Sequence, residues 1–217
     1  MKRRSPLLES SRARYPDLKI GVIGDMEIVT DSPFEPDQSF ICDFSALRKR
    51  LIVGRSAASW LAEHTGGSPD AMFECSFSES GAIAARIHRE QFVLIDEPDS
   101  VRYDELFTFP TGRHGEALLL EYECADIVLG GSRVQEVMDE LCPMPMLEQP
   151  ALTWCATRMA HTDIVILPFD QPARHYRILV TPADARFIYD IFSEAIEDAD
   201  GTQIGFNQYW RKFINGE

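Results

Sequence analysis

Ile52-Val53-Gly54-Arg55-Ser56 and Val128-Leu129-Gly130-Gly131-Ser132 state one phrase twice: a short apolar run, a glycine, and a serine two residues on. A helical pattern follows each copy, through Ala58 and Leu61 in the first and Val134, Val137, Met138 and Leu141 in the second. An apolar run reads as a strand, the glycine as a tight turn and the serine as an N-cap, so each copy predicts strand, turn, helix. The two glycines and the two serines both stand 76 positions apart. A second echo follows in the same order. Val93-Leu94-Ile95 leads to Pro98-Asp99 and a stretch ending Leu106-Phe107; Ile178-Leu179-Val180 leads to Pro182, Asp184 and a stretch ending Ile191-Phe192. Two echoes in order indicate an internally duplicated unit.

Outward from these phrases, strands outnumber helices. Strands are expected at 19–23, 26–29, 40–44, 50–53, 83–88, 91–96, 118–122, 125–129, 152–159, 163–167 and 176–180, with a turn at His161. Met72 to Phe77 alternates, which puts Phe73, Cys75 and Phe77 on one face of a half-buried strand. Ser78 to Gly81 reads as a hairpin turn. Helices are expected at 56–64, 99–107, 133–141 and 183–198, the last carrying Phe187, Ile191 and Ile196 as apolar positions. Helices alternating with strand pairs favour an α+β fold with mainly antiparallel sheets over a doubly wound parallel one. Pro110 to Gly115 is the expected boundary, giving a basic arm at 1–18, a first α+β repeat at 19–110 and a second at 111–217.

The chain has 217 residues and a net charge of −14. Its first sixteen residues are nevertheless basic, with Lys2, Arg3, Arg4, Arg12 and Arg14 against Glu9. That head reads as a disordered tail or as an arm lying on an acidic partner subunit. The strongly acidic remainder argues against nucleic acid, because phosphate would repel it. Leu7-Leu8 is too short for a signal peptide's apolar core, and no run approaches the ~18 apolar residues of a membrane helix. The five cysteines are widely spaced and odd in number, which fits reduced thiols in a cytoplasmic protein and offers no close pair to seed a metal site.

Familiar catalytic signatures are missing. Gly21-Val22-Ile23-Gly24 has no third glycine and no helix after it, so it makes no dinucleotide cradle. There is no G-K-[ST] and no G-x-S-x-G. Cys155 and His161 do not have a catalytic spacing, and a turn histidine is the reading preferred. Glu121-Tyr122-Glu123 reads as a carboxylate pair for acid–base work or as alternate strand positions facing water. Arg174-His175-Tyr176-Arg177 places cations at a strand entry, with His175 and Arg177 on one face, suited to an anionic ligand or a partner's carboxylate or else to a solvated edge.

Across residues 20 to 215 the chain resembles the folate-binding part of the aminomethyltransferase family. That family includes the glycine-cleavage T protein and the small gamma subunit of heterotetrameric sarcosine oxidase. Asp43-Phe44-Ser45, followed by Leu51 to Gly54 and Ala57, is similar to the family's D-x-S and strand–glycine–helix opening. Ser78-Glu79-Ser80-Gly81-Ala82-Ile83 is similar to its N-E-x-G-G-I hairpin. Ile127 to Val137, Tyr176 to Val180, the helix from Ala183 and Ile204-Gly205-Phe206 follow in the family's order. The C-terminal barrel of full-length members is absent, as in the short gamma subunits. The departures fall on the chemistry. The family's paired catalytic aspartates fall on Ala85 and Arg86, its glycine-rich loop on Phe169 to His175, and its pterin-holding glutamate on Arg177.

The resemblance therefore implies the fold with a lost or altered site and no catalytic residue. It implies a small accessory subunit of a complex that oxidatively demethylates a methylated amine, beside larger catalytic subunits carrying a flavin, haem or iron–sulfur centre. The alternative it implies is a tetrahydrofolate-binding subunit that passes a formaldehyde unit to folate, with contacts falling on Phe73, Arg174, His175 and Arg177. A free-standing enzyme using Cys or His has no support in the spacing.

Overall fold

The computed structural model describes residues 3–35, 39–78, 81–97, 107–171 and 173–215. Both strand–glycine–helix phrases form. β5 (Lys49–Val53) passes Gly54 into α2 (Ala57–Thr65), and β11 (Ala125–Gly131) runs into α3 (Val134–Leu141). The glycines are required by close approach. A Cβ on Gly54, whose φ is +127°, would stand 2.1 Å from the Glu116 carbonyl oxygen; one on Gly130 would stand 2.4 Å from the Phe40 ring. The expected serine caps do not form. Ser56 holds the cap position at φ −94°, ψ 10°, outside the extended region from which a hydroxyl reaches the first turn, and α3 is capped at Arg133 instead of Ser132.

The remaining strands are β1 (Arg3–Arg4), β2 (Lys19–Ile23), β3 (Met26–Asp31), β4 (Ser39–Asp43), β6 (Cys75–Phe77), β7 (Ile83–His88), β8 (Gln91–Ile95), β9 (Gly112–His114), β10 (Ala117–Glu121), β12 (Cys155–Met159), β13 (Thr162–Phe169), β14 (His175–Val180) and β15 (Thr202–Ile204). The helices are completed by α1 (Leu8–Arg14), α4 (Ala185–Asp198) and α5 (Phe206–Tyr209). Two sheets repeat one topology: β6-β7-β8-β5-β10-β9 and β12-β13-β14-β11-β4-β15. Within them all pairings are antiparallel except β15 beside β4. The duplicated strand–helix–three-strand order read from the sequence is therefore real, and no closed barrel occurs among the described residues.

One exchange was not expected. β4 precedes β5 in the chain but pairs with β11; β10 precedes β11 but pairs with β5. Each repeat gives its leading strand to the other. The compact units consequently depart from a division at 110/111: the first is Met1–Ala46, Cys124–Ala151 and Cys155–Glu217, the second Leu47–Glu123 with Leu152–Trp154. The Pro110–Gly115 segment is not a boundary, because β9 and β10 belong to the sheet of β5. The helix expected at 99–107 and the turn at Glu79-Ser80 lie largely outside the described residues.

In the first unit α3 and α4 close a core that includes Ile127, Leu129, Val137, Ile166, Ile178, Ile188 and Phe192. The buried stripe of α4 runs through Ile188, Tyr189, Phe192 and Ile196, and Phe187 is turned out, 52% exposed. In the second unit α2 covers Ile52, Phe92, Leu94 and Leu119. The Met72–Phe77 expectation is corrected: only Cys75–Phe77 is strand, and Phe73 takes a left-handed φ of 66°.

The basic head is not a tail. β1 pairs in parallel with β3, and Leu7 and Leu8 are wholly buried. The Ser5 hydroxyl donates to the buried Asp43 carboxylate, Ser11 joins a buried network with Tyr189 and Gln203, and Arg14 and Tyr15 both bond Glu197. Two adjacent leucines, too few for a signal peptide, suffice to bury the arm against its own chain. No helix among the described residues is long and apolar enough to cross a membrane.

Candidate functional site

Arg174, His175 and Arg177 come from the hairpin joining β13 to β14, and the fold puts each to a different use. Tyr176, Ile178 and Val180 point into the first unit's core, so His175, Arg177 and Leu179 share the other face. That face is no solvated edge, because β14 is an interior strand between β13 and β11. Val128 stands opposite Arg177, which makes Asp126, two residues along β11, its diagonal neighbour on the same face.

The Arg177 Nε donates to both Asp126 oxygens at 2.8 and 2.9 Å, and its Nη2 donates to Oδ2 at 2.6 Å. The Arg177 side chain is 2% exposed and that of Asp126 0%. The Phe44 ring lies 5.5 Å from the guanidinium carbon. Such a pair is charge-assisted, desolvated and self-neutralised, so Arg177 grips a carboxylate of its own chain.

Arg174 is committed as well. Its Nη1 donates to Asp170 at 2.5 Å, its Nε to the Tyr176 hydroxyl at 3.2 Å, and its Nη2 to the carbonyls of Met146 and Gln149 at 2.7 and 2.9 Å. These bonds close the 170–174 loop.

His175 is different. Its Nδ1 lies 2.9 Å from the Ala173 carbonyl oxygen, which only accepts, so Nδ1 carries the proton and Nε2 a lone pair. The ring stacks on Phe169 at 4.8 Å with a 9° tilt. Burial, followed by the nearby Arg177 and Arg174 charges, holds its pKa below the usual histidine range. The ring is therefore neutral at pH 7, an acceptor in fixed orientation.

His175 opens on a half-enclosed hollow of about 210 Å³ lined by Phe40, Gly131, Ala173, Arg174, His175, Tyr209 and Phe213. The three aromatic rings meet at centroid distances of 6.0, 4.9 and 5.0 Å. Phe73, the fourth residue suggested for folate, belongs to the second unit and is 46% exposed.

The positions corresponding to the catalytic aspartates lie on β7 in the second unit. Ala85 is fully buried in the sheet between Cys75 and Val93. Arg86 donates to the Asp70 and Arg89 carbonyls and lies 5.5 Å from the Phe92 ring centre. Both positions hold local structure. The Cys155 thiol is pushed up to about 11, chiefly by burial, which removes it as a nucleophile. His161 sits at φ 66° in the two-residue turn between β12 and β13, the turn role expected for it. Glu121 faces Arg50 at 3.4 Å.

Sequence reasoning missed Asp126 and the ring cluster. Asp126 carried a signal: an acid inside the run Ala125 to Leu129, which as a strand is buried and demands a partner. The rings of Phe40, Tyr209 and Phe213 come from distant segments and carried none.

The sequence matches no known family profile and no curated protein. Among solved structures the chain is similar to the glycine cleavage system aminomethyltransferase T from Bartonella henselae, at 14% identity and a TM-score of 0.73 over 95% of this chain. It spans 60% of that chain's length. It is also similar to a chain of the heterotetrameric sarcosine oxidase from Corynebacterium sp. U-96 in complex with pyrrole 2-carboxylate, at 17% identity and a TM-score of 0.62. That match covers 92% of this chain and 97% of that one. The resemblance read from the sequence thus holds at the level of architecture: the chain has an aminomethyltransferase-like α+β fold of two pseudo-repeated strand–helix units.

Proposed function

We propose that this chain is a small accessory subunit of a complex that oxidatively demethylates a methylated amine, built on a degenerate aminomethyltransferase site. The observation that carries the reading is the buried Arg177–Asp126 pair. Where the resemblance places a carboxylate that would accept the pterin's N–H groups, the chain has a guanidinium already bonded by its own aspartate. Pterin donors facing a donor would leave buried groups unpaired. Ala85 and Arg86 support the same reading, since neither can place an amine or a folate nitrogen. The similarity over 97% of a sarcosine oxidase chain supports a subunit of this size. On this reading the redox centre, a flavin, haem or iron–sulfur group, is carried by larger partner subunits.

Affinity capture of the chain from its native extract tests this. Larger subunits carrying such a centre and producing formaldehyde from a methylated amine should co-elute. A monomeric, partnerless chain in that extract refutes the proposal.

A further inference from the structure

We propose that the hollow beside His175 binds a small alkylammonium cation that retains at least one N–H. Nε2 of His175 makes no hydrogen bond among the described residues, while Nδ1–H is held by the Ala173 carbonyl. The hollow therefore presents one oriented acceptor. Around it stand the rings of Phe40, Tyr209 and Phe213 and the unsubstituted Gly131, with Ala173 at the rim. An acceptor beside aromatic faces matches a group that is a donor, a cation and apolar at its periphery. An alkylammonium ion is all three: its N–H donates to Nε2 and its alkyl groups and charge meet the π-faces.

The competing occupants fit less well. An anion such as a folate tail needs donors, and the two nearby guanidiniums are already bonded to Asp170 and Asp126. A pterin ring system with its tail needs a pocket of roughly 300–1,000 Å³, larger than the 210 Å³ available. Water needs two to four polar partners, whereas this lining is mostly carbon. Arg174 lines the hollow, but its charge is offset by the 2.5 Å bond to Asp170. Lys212 places its Nζ 6.0 Å from the Phe213 centroid, so a cation is already tolerated beside that ring. The net charge of −14 favours a cationic ligand over an anionic one at long range.

This assigns the chain a ligand that the subunit reading does not, and its test needs no partner. The full chain is titrated calorimetrically with dimethylammonium chloride, tetramethylammonium chloride and sodium acetate. Dimethylammonium should bind saturably at one site. Tetramethylammonium, which has no N–H, should bind about tenfold or more weakly. Acetate should neither bind nor compete. His175→Leu should weaken dimethylammonium by roughly tenfold or more, while His175→Gln, which keeps an acceptor, should recover most of the affinity.

Non-saturable heats, equal affinity for the two cations, competition by acetate, or unchanged binding in His175→Leu would each overturn the inference. If His175→Leu fails to fold, the two-cation comparison on the unaltered chain decides alone. A chain that binds the amine but captures no partner keeps this inference and loses the subunit proposal.

Discussion

Replacing Asp126 with Asn should destabilise the first unit by about 3–5 kcal/mol, the usual effect of leaving one member of a buried ion pair alone. The structure sets the size. Arg177 has 2% of its side chain exposed, and three donor–acceptor distances between 2.6 and 2.9 Å link it to Asp126, so water cannot take over when the carboxylate goes. The asparagine amide would also turn an N–H group toward one of the guanidinium donors. At about 2–4 °C per kcal/mol for a chain of 150–250 residues, the midpoint should fall by roughly 6–20 °C. Urea unfolding followed by circular dichroism, at unchanged m-value, measures the free energy. Arg177→Met should cost a similar amount. The double variant Asp126→Leu, Arg177→Met should recover several kcal/mol of the summed loss, because an apolar pair of similar volume has no desolvation penalty. A loss below about 1 kcal/mol in Asp126→Asn, or strict additivity in the double variant, would refute the description of this pair as a desolvated, mutually dependent unit.

Asp43 offers a test with the opposite sign. Burial, offset in part by its bonds to Ser5 and Ser45, raises its pKa above the unfolded value of 3.8. The folded chain thus binds this proton more tightly, so this group's penalty is largest above the raised pKa and fades as pH falls toward 3.8. Asp43→Asn should flatten that part of the stability–pH curve, and an unaltered slope would exclude burial of the charge. Leu7→Ala and Leu8→Ala should each cost about 2–5 kcal/mol, with little change in added salt, since the leucines are wholly buried. Strong salt sensitivity would show that the arm is held by its charges instead. Gly54→Ala should destabilise more than Gly130→Ala: the first meets a backbone carbonyl at 2.1 Å with φ at +127°, the second a side-chain ring that can shift. Thermal melts in the reverse order would refute this.

The duplicated phrase was legible because its cause is local. A buried strand followed by a close backbone approach requires an apolar run and then glycine, and both copies wrote that into adjacent residues. The exchange of β4 and β10 was not legible, because strand propensity says nothing about which strand a segment pairs with. The arm misled for a related reason: Leu7-Leu8 has no periodicity of its own and is buried by β3, α4 and the rest of the first unit. Arg177 read as exposed because a lone cation on a strand usually is, and only the β11–β14 register brings Asp126 beside it. His175 was found by composition, but its use as an acceptor depends on the Ala173 carbonyl and on rings supplied by remote segments.

The exchanged strands also order events during synthesis. The second unit is almost complete once residue 123 has left the ribosome, because β10 is then available to β5. β4 is made earlier, yet its partner β11 does not exist until the second unit has been translated. Ser39–Asp43, every residue of which is buried in the finished protein, must wait as an unpaired strand through that interval. Pairings this distant in sequence slow folding, and an apolar edge held open during it invites association with other nascent chains. The step most exposed to misfolding is thus the hand-over of one strand from the repeat that encodes it to the repeat that needs it.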